Sequence, residues 1–418
     1  MTDVETLPDW ATEFDHTKES YAQRAPEVWD DLRGRCPVAH SDAHGGVWLP
    51  VRHEDVSAIA HDTEHFSSEG VIVNVFKPEG LAPMGYAPPI TSDPPFHKDA
   101  RRLLLPAFAP KPIQRLEGDI RASCRELLDT MLADGRDVVD AATEYAQHIP
   151  VRAIASLLGV PKEDGDKFRG FIHRILEKPG EYAGIIDYED TLEHYLNVLV
   201  ETRRQEPPRD DLVGHLLAAE VDGEPLDIDH IRGSIALLII AGIDTTWSAI
   251  GASLWHLAQH PEDRQRLRDD PAVLPFAIEE FLRFYAPVTM ARIAATDTEI
   301  GGCPVGARDW VLLPFPAANR DPEAFEDADR FVIDRQKNRH IAFGLGIHRC
   351  LGSNLARLEL TVAVEEWLAR VPDFELADPE GVRWATGQVR GPRELPVRPL
   401  TVLAPVTDQI ADPTAEEA

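Results

Sequence analysis

The stretch Phe343-Gly344-Leu345-Gly346-Ile347-His348-Arg349-Cys350-Leu351-Gly352 decides the reading of this chain. It holds one thiol, a glycine two residues after it, glycines four and six before it, and an aromatic residue seven before it. An apolar, helix-like stretch from Leu355 to Trp367 follows. A thiolate ligand to haem iron needs such surroundings. Gly346 and Gly352 remove Cβ atoms where backbone approaches a flat macrocycle or turns tightly beneath it. The start of the following helix supplies oriented N–H groups and the positive end of a dipole, which favour thiolate over thiol. An anionic sulfur pushes electron density into the iron and favours O–O cleavage.

Composition narrows the remaining choices. The chain has 418 residues, 43% hydrophobic and 27% charged, as in globular proteins with an ample core. Its formal net charge of -30 argues against nucleic acid and against an anionic membrane surface as partners, and favours solubility. Cys36, Cys124, Cys303 and Cys350 are far apart in sequence, which gives neither a zinc spacing nor a disulfide framework and fits a reducing cytoplasm. The acidic segment Met1 to Thr12 lacks the apolar core of a signal peptide or anchor. The longest apolar run, Ile235 to Ile243, is too short to span a bilayer.

Hydrophobic periodicity predicts a mostly helical chain with a minor sheet. Apolar positions at helical spacing run from Ile113 to Leu132, and similar patterns recur at about 140–158, 162–176, 187–205 and 210–220. Pro207-Pro208 and Asp222-Gly223 interrupt them. A long helix is expected from near Asp229 to Gln259, with Asp227 or Asp229 as its cap and Pro261 after its end, and another from Pro271 to Tyr285. Strand-like segments lie at Gly45 to Val51, Val71 to Phe76, Arg292 to Leu313, near Phe374 and at Leu395 to Leu400. The proline-rich Lys77 to Pro95 reads as a long functional loop.

The thiol-bearing loop resembles the Phe-x-x-Gly-x-x-x-Cys-x-Gly ligand loop of the cytochrome P450 family. Ala241-Gly242-Ile243-Asp244-Thr245-Thr246 in the long helix is similar to that family's segment crossing the distal face of the haem. Read from the residues alone, an ionisable Asp244 in an apolar stretch is expensive unless paired or functional. Small residues at 241 and 242 let something flat lie against the helix, and a threonine hydroxyl can bond the carbonyl one turn back and widen the helix locally. The resemblance implies that Thr245 hydrogen-bonds the dioxygen substrate and that Asp244 relays protons to it.

Glu280-Phe281-Leu282-Arg283 matches the family's buried Glu-x-x-Arg pair, although alone it reads as a surface pair; Arg335 or Arg330 completes the triad. His97, Arg101, Arg292 and His348 match the binders of the haem propionates. Phe343, Gly344 and Gly352 of the loop, with Ala241 and Gly242 of the helix, complete the expected cofactor contacts. The implied fold is the predominantly α (α+β) cytochrome P450 fold. It is a triangular helical prism with a small β-rich region, holding haem b between the long central helix and the cysteine loop.

The matches run from His97 to Pro392, so residues 1–418 are expected to form one catalytic domain without a fused reductase or iron–sulfur domain. Electrons are then expected from a separate ferredoxin, itself reduced by an NAD(P)H-dependent reductase, docking on a locally basic face. Arg101, Arg102, Arg349 and Arg357 are its candidates. By the same resemblance the substrate pocket is lined by Val71, Ile72, Val73, Val75, Phe76, Leu81, Met84 and Tyr86. Leu237, Leu238, Ala241, Val288, Thr289, Met290, Gln388 and Val389 complete it. These side chains suit a small-to-medium hydrophobic molecule such as a terpenoid or aromatic compound. The leading reading is a cytoplasmic, monomeric, ferredoxin-dependent monooxygenase using O2. A peroxide-dependent peroxygenase usually lacks the acid–alcohol pair, and a haem sensor or carrier needs neither that pair nor an electron-transfer face.

Overall fold

The computed structural model describes residues 8–73, 86–177 and 187–405. The helix Ile228–Gln259 is its axis and lies against the helices His148–Leu158, Leu192–Gln205 and Ser353–Arg370. Asp227 starts it: its carboxylate accepts the N–H groups of Asp229 at 2.7 Å and His230 at 3.3 Å, satisfying donors that have no intrahelical partner. His260 closes the last turn onto the His256 carbonyl, and Pro261 cannot continue it. A helix apolar on all sides must be interior. This one is long and apolar enough to cross a bilayer, yet 72% of its most apolar window is buried among other elements, so it is a core helix.

The principal sheet has five strands in the order Val38–Ser41, Val47–Pro50, Trp310–Pro314, Thr289–Ala294 and Phe66–Ser67. Only the pairing of Trp310 with Val47 and Val311 with Trp48 is parallel. A second sheet joins Asp373–Leu376, Pro396–Thr401 and Val139–Asp140. The expected helix at 113–132 divides into Pro110–Gln114 and Glu117–Leu132, and the one at 140–158 begins with a wider turn at Ala142–Ala146. Helices Glu19–Arg35 and His53–His61 were not anticipated. The first is bent at Arg24 and contains Pro26, features that argue against a helix in sequence.

One buried ion-pair network joins the helix Leu274–Phe284 to the chain that leads into the cysteine loop. Glu280 and Arg283 are wholly excluded from solvent, not on the surface. Arg283 forks onto both Glu280 carboxylate oxygens at 2.8 Å and donates to the carbonyls of Asn319, Ala328 and Arg330. Arg335 completes the triad, with Nε at 3.0 Å from Glu280 Oε2; Arg330 contributes its backbone, while its guanidinium faces solvent near Asp327. Val332 N–H and Asn338 Nδ2 also donate to Glu280. Removing one member of such a network leaves an uncompensated buried charge. Glu280→Gln is therefore expected to lower unfolding stability by about 3–5 kcal/mol; denaturant unfolding of the variant measures it, and a loss below about 1 kcal/mol contradicts the structural role.

Candidate active site

The loop before Cys350 is closed by its own backbone: Cys350 N–H donates to the Phe343 carbonyl at 2.7 Å. Gly344 and Gly346 adopt φ of 65° and 64°, a left-handed conformation that a side chain strains. A Cβ on Gly346 would lie 2.5 Å from the Ala60 carbonyl oxygen, so this glycine lets the loop pack on the helix His53–His61 rather than admitting a macrocycle. Gly352 has φ of -81°, and a Cβ there would make only ordinary contacts with Phe108 and the Cys350 sulfur. Its backbone N–H bonds the Cys350 thiol. Burial pushes that thiol up, against the opposing pull of the Gly352 N–H and of Arg101, Arg349 and Arg357.

Cys350 opens into a cavity whose facing wall is the long helix at Ala241, Gly242, Thr245 and Thr246. Phe343, Gly344, His348 and Gly352 line the same cavity. At one rim stand Arg101, Arg292 and His348, with His97 behind them, its ring 4.4 Å from that of His348. Arg292 is buried and pushed down to about 10 by that burial, only partly relieved by Asp93. His348 is pushed down to about 3 by burial and by the charges of Arg292, His97 and Arg101. His348 Nε2 lies 2.9 Å from Ser68 Oγ, whereas His97 Nε2 is buried without a hydrogen-bond partner among the described residues. None of the four makes an ion pair with a carboxylate among the described residues. A thiol below, an apolar cavity, and at one rim two arginines without a carboxylate partner beside two histidines able to donate hydrogen bonds fit a flat, apolar group carrying a metal and two carboxylates, which is the chemistry of haem.

The distal turn differs in part from expectation. Thr245 Oγ1 donates to the Ala241 carbonyl at 2.8 Å, as a helical threonine can, but the helix stays α-helical through this turn without widening. Gly242 accommodates a neighbour: a Cβ there would lie 2.5 Å from Ile154 Cδ1. Asp244 is fully buried and pairs with Arg393, which also donates to Ser248 Oγ and lies 4.1 Å over the Trp247 ring. Arg393 was not foreseen, and neither was Glu359, a buried acid that lines the cavity. Burial pushes its carboxyl well above the usual range despite a hydrogen bond from Thr246. The signal for Glu359 was the one used for Asp244, an acid between apolar residues at Leu358 and Leu360.

Of the expected pocket residues, Leu237, Leu238, Ala241, Val288 and Met290 line this cavity. Val73 does not; it packs in a separate apolar cluster with Phe14, Tyr21 and Trp29. Tyr86 is partly exposed and sits against Phe96 and His230. Thr289 hydrogen-bonds Tyr21 and donates its N–H to Gln388 O, Gln388 Nε2 bonds Val71 O and Met290 Sδ, and Val389 bridges Val288, so all three support the wall from behind. Val75, Phe76, Leu81 and Met84 lie outside the described residues. Pro89, Ile90, Phe108, Ile154 and Leu282 also line the cavity, and nothing in their sequence setting distinguishes them from ordinary core.

Among the basic candidates, Arg102 and Arg349 are exposed, while Arg101 lines the cavity and donates to the Arg349 carbonyl at 2.6 Å. Arg357 is not an open docking charge. It grips Glu279 through two hydrogen bonds of 2.6 and 2.9 Å and lies 4.5 Å over the Phe343 ring, clamping the loop. Burial alone would raise the Glu279 carboxyl, but hydrogen bonds from Arg357 and His340 outweigh it and hold it at about 2, below an ordinary 4.5. A carboxyl depressed in the folded state stabilises above its unfolded value and loses that contribution as pH falls through its folded value. Glu279→Gln is thus expected to cost about 1–3 kcal/mol near neutral pH. Denaturant unfolding at stepped pH should show the difference shrinking between 4.5 and about 2; a difference constant over that range contradicts the clamp.

Comparison with known proteins bears on the same arrangement. The cytochrome P450 family model matches residues 170–382. Mycinamicin IV hydroxylase/epoxidase from Micromonospora griseorubida is 36% identical over 359 residues, covering 84% of this chain and 89% of that protein. Cytochrome P450 CYP109Q5 from Chondromyces apiculatus superposes with a TM-score of 0.82 at 33% identity, over 95% of this chain and 100% of that one. CYP109E1 from Bacillus megaterium, solved in complex with testosterone, gives 0.82 at 29% identity over 92% and 100%. The cavity between thiol and long helix and these likenesses over most of the length lead to one assignment: the chain belongs to the cytochrome P450 family and is a cytochrome P450 monooxygenase.

Proposed function

We propose that this monooxygenase inserts one atom of dioxygen into a small-to-medium hydrophobic molecule and releases the other as water, with two electrons from a separate ferredoxin and two protons from solvent. The observation that carries the reading is the cavity itself: the Cys350 thiol opens into it opposite Thr245, apolar side chains fill its walls, and Arg101 and Arg292 stand at one rim without a carboxylate partner among the described residues. Haem bound there supplies the iron at which dioxygen is reduced and cleaved. Cys350 is its thiolate ligand; the Gly352 N–H steadies the sulfur. His97, Arg101, Arg292 and His348 hold the two propionates.

Leu237, Leu238, Ala241, Val288 and Met290 present the apolar surface that receives substrate and excludes water. Thr245 has its own proton on the Ala241 carbonyl, so its oxygen is set to accept a hydrogen bond near the reacting centre. Asp244, held by Arg393, carries protons inward, and the ion pair with Arg393 fixes its carboxylate between deliveries. A relative named as a mycinamicin IV hydroxylase/epoxidase, and a neighbour solved in complex with testosterone, support a hydrophobic substrate. Free cysteines and the net charge of -30 fit a cytoplasmic monomer. Exposed Arg102 and Arg349 form the docking face for the acidic ferredoxin.

Titrating the haem-loaded protein with terpenoids, steroids, macrolides and aromatics, read by haem absorbance, identifies the ligand class. With that ligand and a ferredoxin system, Thr245→Ala is expected to keep reductant consumption within about tenfold while diverting most of it from product to hydrogen peroxide. Full coupling in the variant removes the role given to Thr245.

A further inference from the structure

The end of the long helix gathers a second group of metal-ligating side chains, well away from the thiol loop in sequence. His256 in the last turn, His260 at the cap and Asp263 in the helix Pro261–Asp269 each offer a ligand atom, all within 4.8 Å of one another. His256 Nε2 lies 2.8 Å from Asp263 Oδ2. The two imidazoles stack, with centroids 4.1 Å apart and planes at 21°, so His260 has to turn out of the stack for both ring nitrogens to face one ion. The remaining ring nitrogens are already oriented by outer partners: His256 Nδ1 by the Tyr285 hydroxyl at 2.7 Å, His260 Nδ1 by Glu262 Oε1 at 3.2 Å. Histidine ligands to metals almost always have such an outer partner, which fixes tautomer and ring direction.

We propose that His256 Nε2, His260 Nε2 and Asp263 Oδ2 bind a divalent transition-metal ion of the zinc class, with solvent water as fourth ligand. Two imidazoles and a carboxylate suit zinc, whose tetrahedral ligands stand ~3.3 Å apart for bonds near 2.0–2.1 Å. His256 is 1% exposed and wedged against Phe331, so it is the fixed member; His260, with 44% of its side chain exposed, supplies the adjustment and the entry path. The carbonyl end of the long helix adds negative potential, as do Glu262 and Asp263. Proton accounting also closes. Without metal, the contacts suit a neutral His256 with its proton on Nε2, donating to Asp263 and accepting the Tyr285 hydroxyl at Nδ1. With metal, the same proton resides on Nδ1 and the Tyr285 oxygen accepts it, so the ring coordinates without a change of charge.

The other His–acid group, Asp15 with His16 and His44, is a poorer site, because Asp15 Oδ1 already accepts from Thr17 N, Thr17 Oγ1 and His44 Nε2. An ion at the first site ties the long helix to Pro261–Asp269 and, through Tyr285, to the end of the Glu280–Arg283 helix. It therefore stabilises the folded protein by mass action.

The test titrates zinc into haem-loaded, chelator-dialysed protein by isothermal calorimetry, with thermal unfolding alongside. One saturable equivalent per chain is expected, with haem absorbance unchanged and a raised unfolding temperature. His260→Gln and Asp263→Asn, both at solvent-accessible positions, should each weaken binding more than tenfold, and Glu262→Gln about tenfold. His44→Gln should leave it intact. Absence of the saturable equivalent, its retention in His260→Gln, or its loss in His44→Gln overturns the proposal.

Discussion

Everything near the active site depends on one carboxylate that never meets water. Glu280 receives the fork of Arg283, the Nε of Arg335, the amide of Asn338 and the N–H of Val332. Taking these charges out of solvent costs several kcal/mol per ion, and only a full set of donors offsets it. The geometry is correspondingly strict. Arg283 also holds the Asn319 carbonyl, and the Asn319 side chain receives the Ile341 N–H at 2.7 Å, at the threshold of the cysteine loop. The chain from 319 to 341 is thus pinned at several points before it reaches Phe343. The Glu279–Arg357 clamp, from the neighbouring residue on the same helix, then holds Phe343 itself.

The second constraint is electrostatic. A protein with a formal charge of -30 concentrates uncompensated cations around one internal cavity. The depressed value of Arg292 records the strain of holding that charge where burial penalises it, and His348, pushed down to about 3, sheds its charge beside the arginines. Such an arrangement is costly unless an anionic group completes it, and it lies next to a thiol whose ionised form Arg101, with Arg349 and Arg357, favours. Distally the chain faces the opposite problem, an acid buried inside an apolar helix, and pairs Asp244 with Arg393.

The sequence displayed the chemistry better than the walls. Cys350 and the Asp244-Thr245 turn stood out because a lone thiol among glycines and an acid in an apolar helix leave few physical explanations, whereas Glu280-Arg283 was read as buried only through the family resemblance, since alone it looks like a surface pair. Arg335 could be chosen over Arg330 only from structure, since both lie near enough in sequence to reach Glu280. Gly242 lines the cavity and Gly346 makes a tight turn at φ 64°, but a glycine announces close approach without naming what approaches; the neighbours that crowd them, Ile154 and the Ala60 carbonyl, were not legible. Pocket residues were the least legible. Thr289, Gln388 and Val389 sit one layer behind the wall, and an apolar side chain facing a cavity looks in sequence like one facing the core. Arg357 was assigned to the surface because its partner Glu279 is 78 residues away in sequence.

The account rests on sulfur from Cys350 meeting the iron. X-ray absorption at the iron edge of the haem-loaded protein, compared with Cys350→Ala, tests this most directly. One sulfur scatterer in the first shell of the wild type, replaced by only nitrogen or oxygen scatterers in the variant, is the predicted result. A first shell without sulfur in the wild type, or one unaltered in Cys350→Ala, contradicts the account.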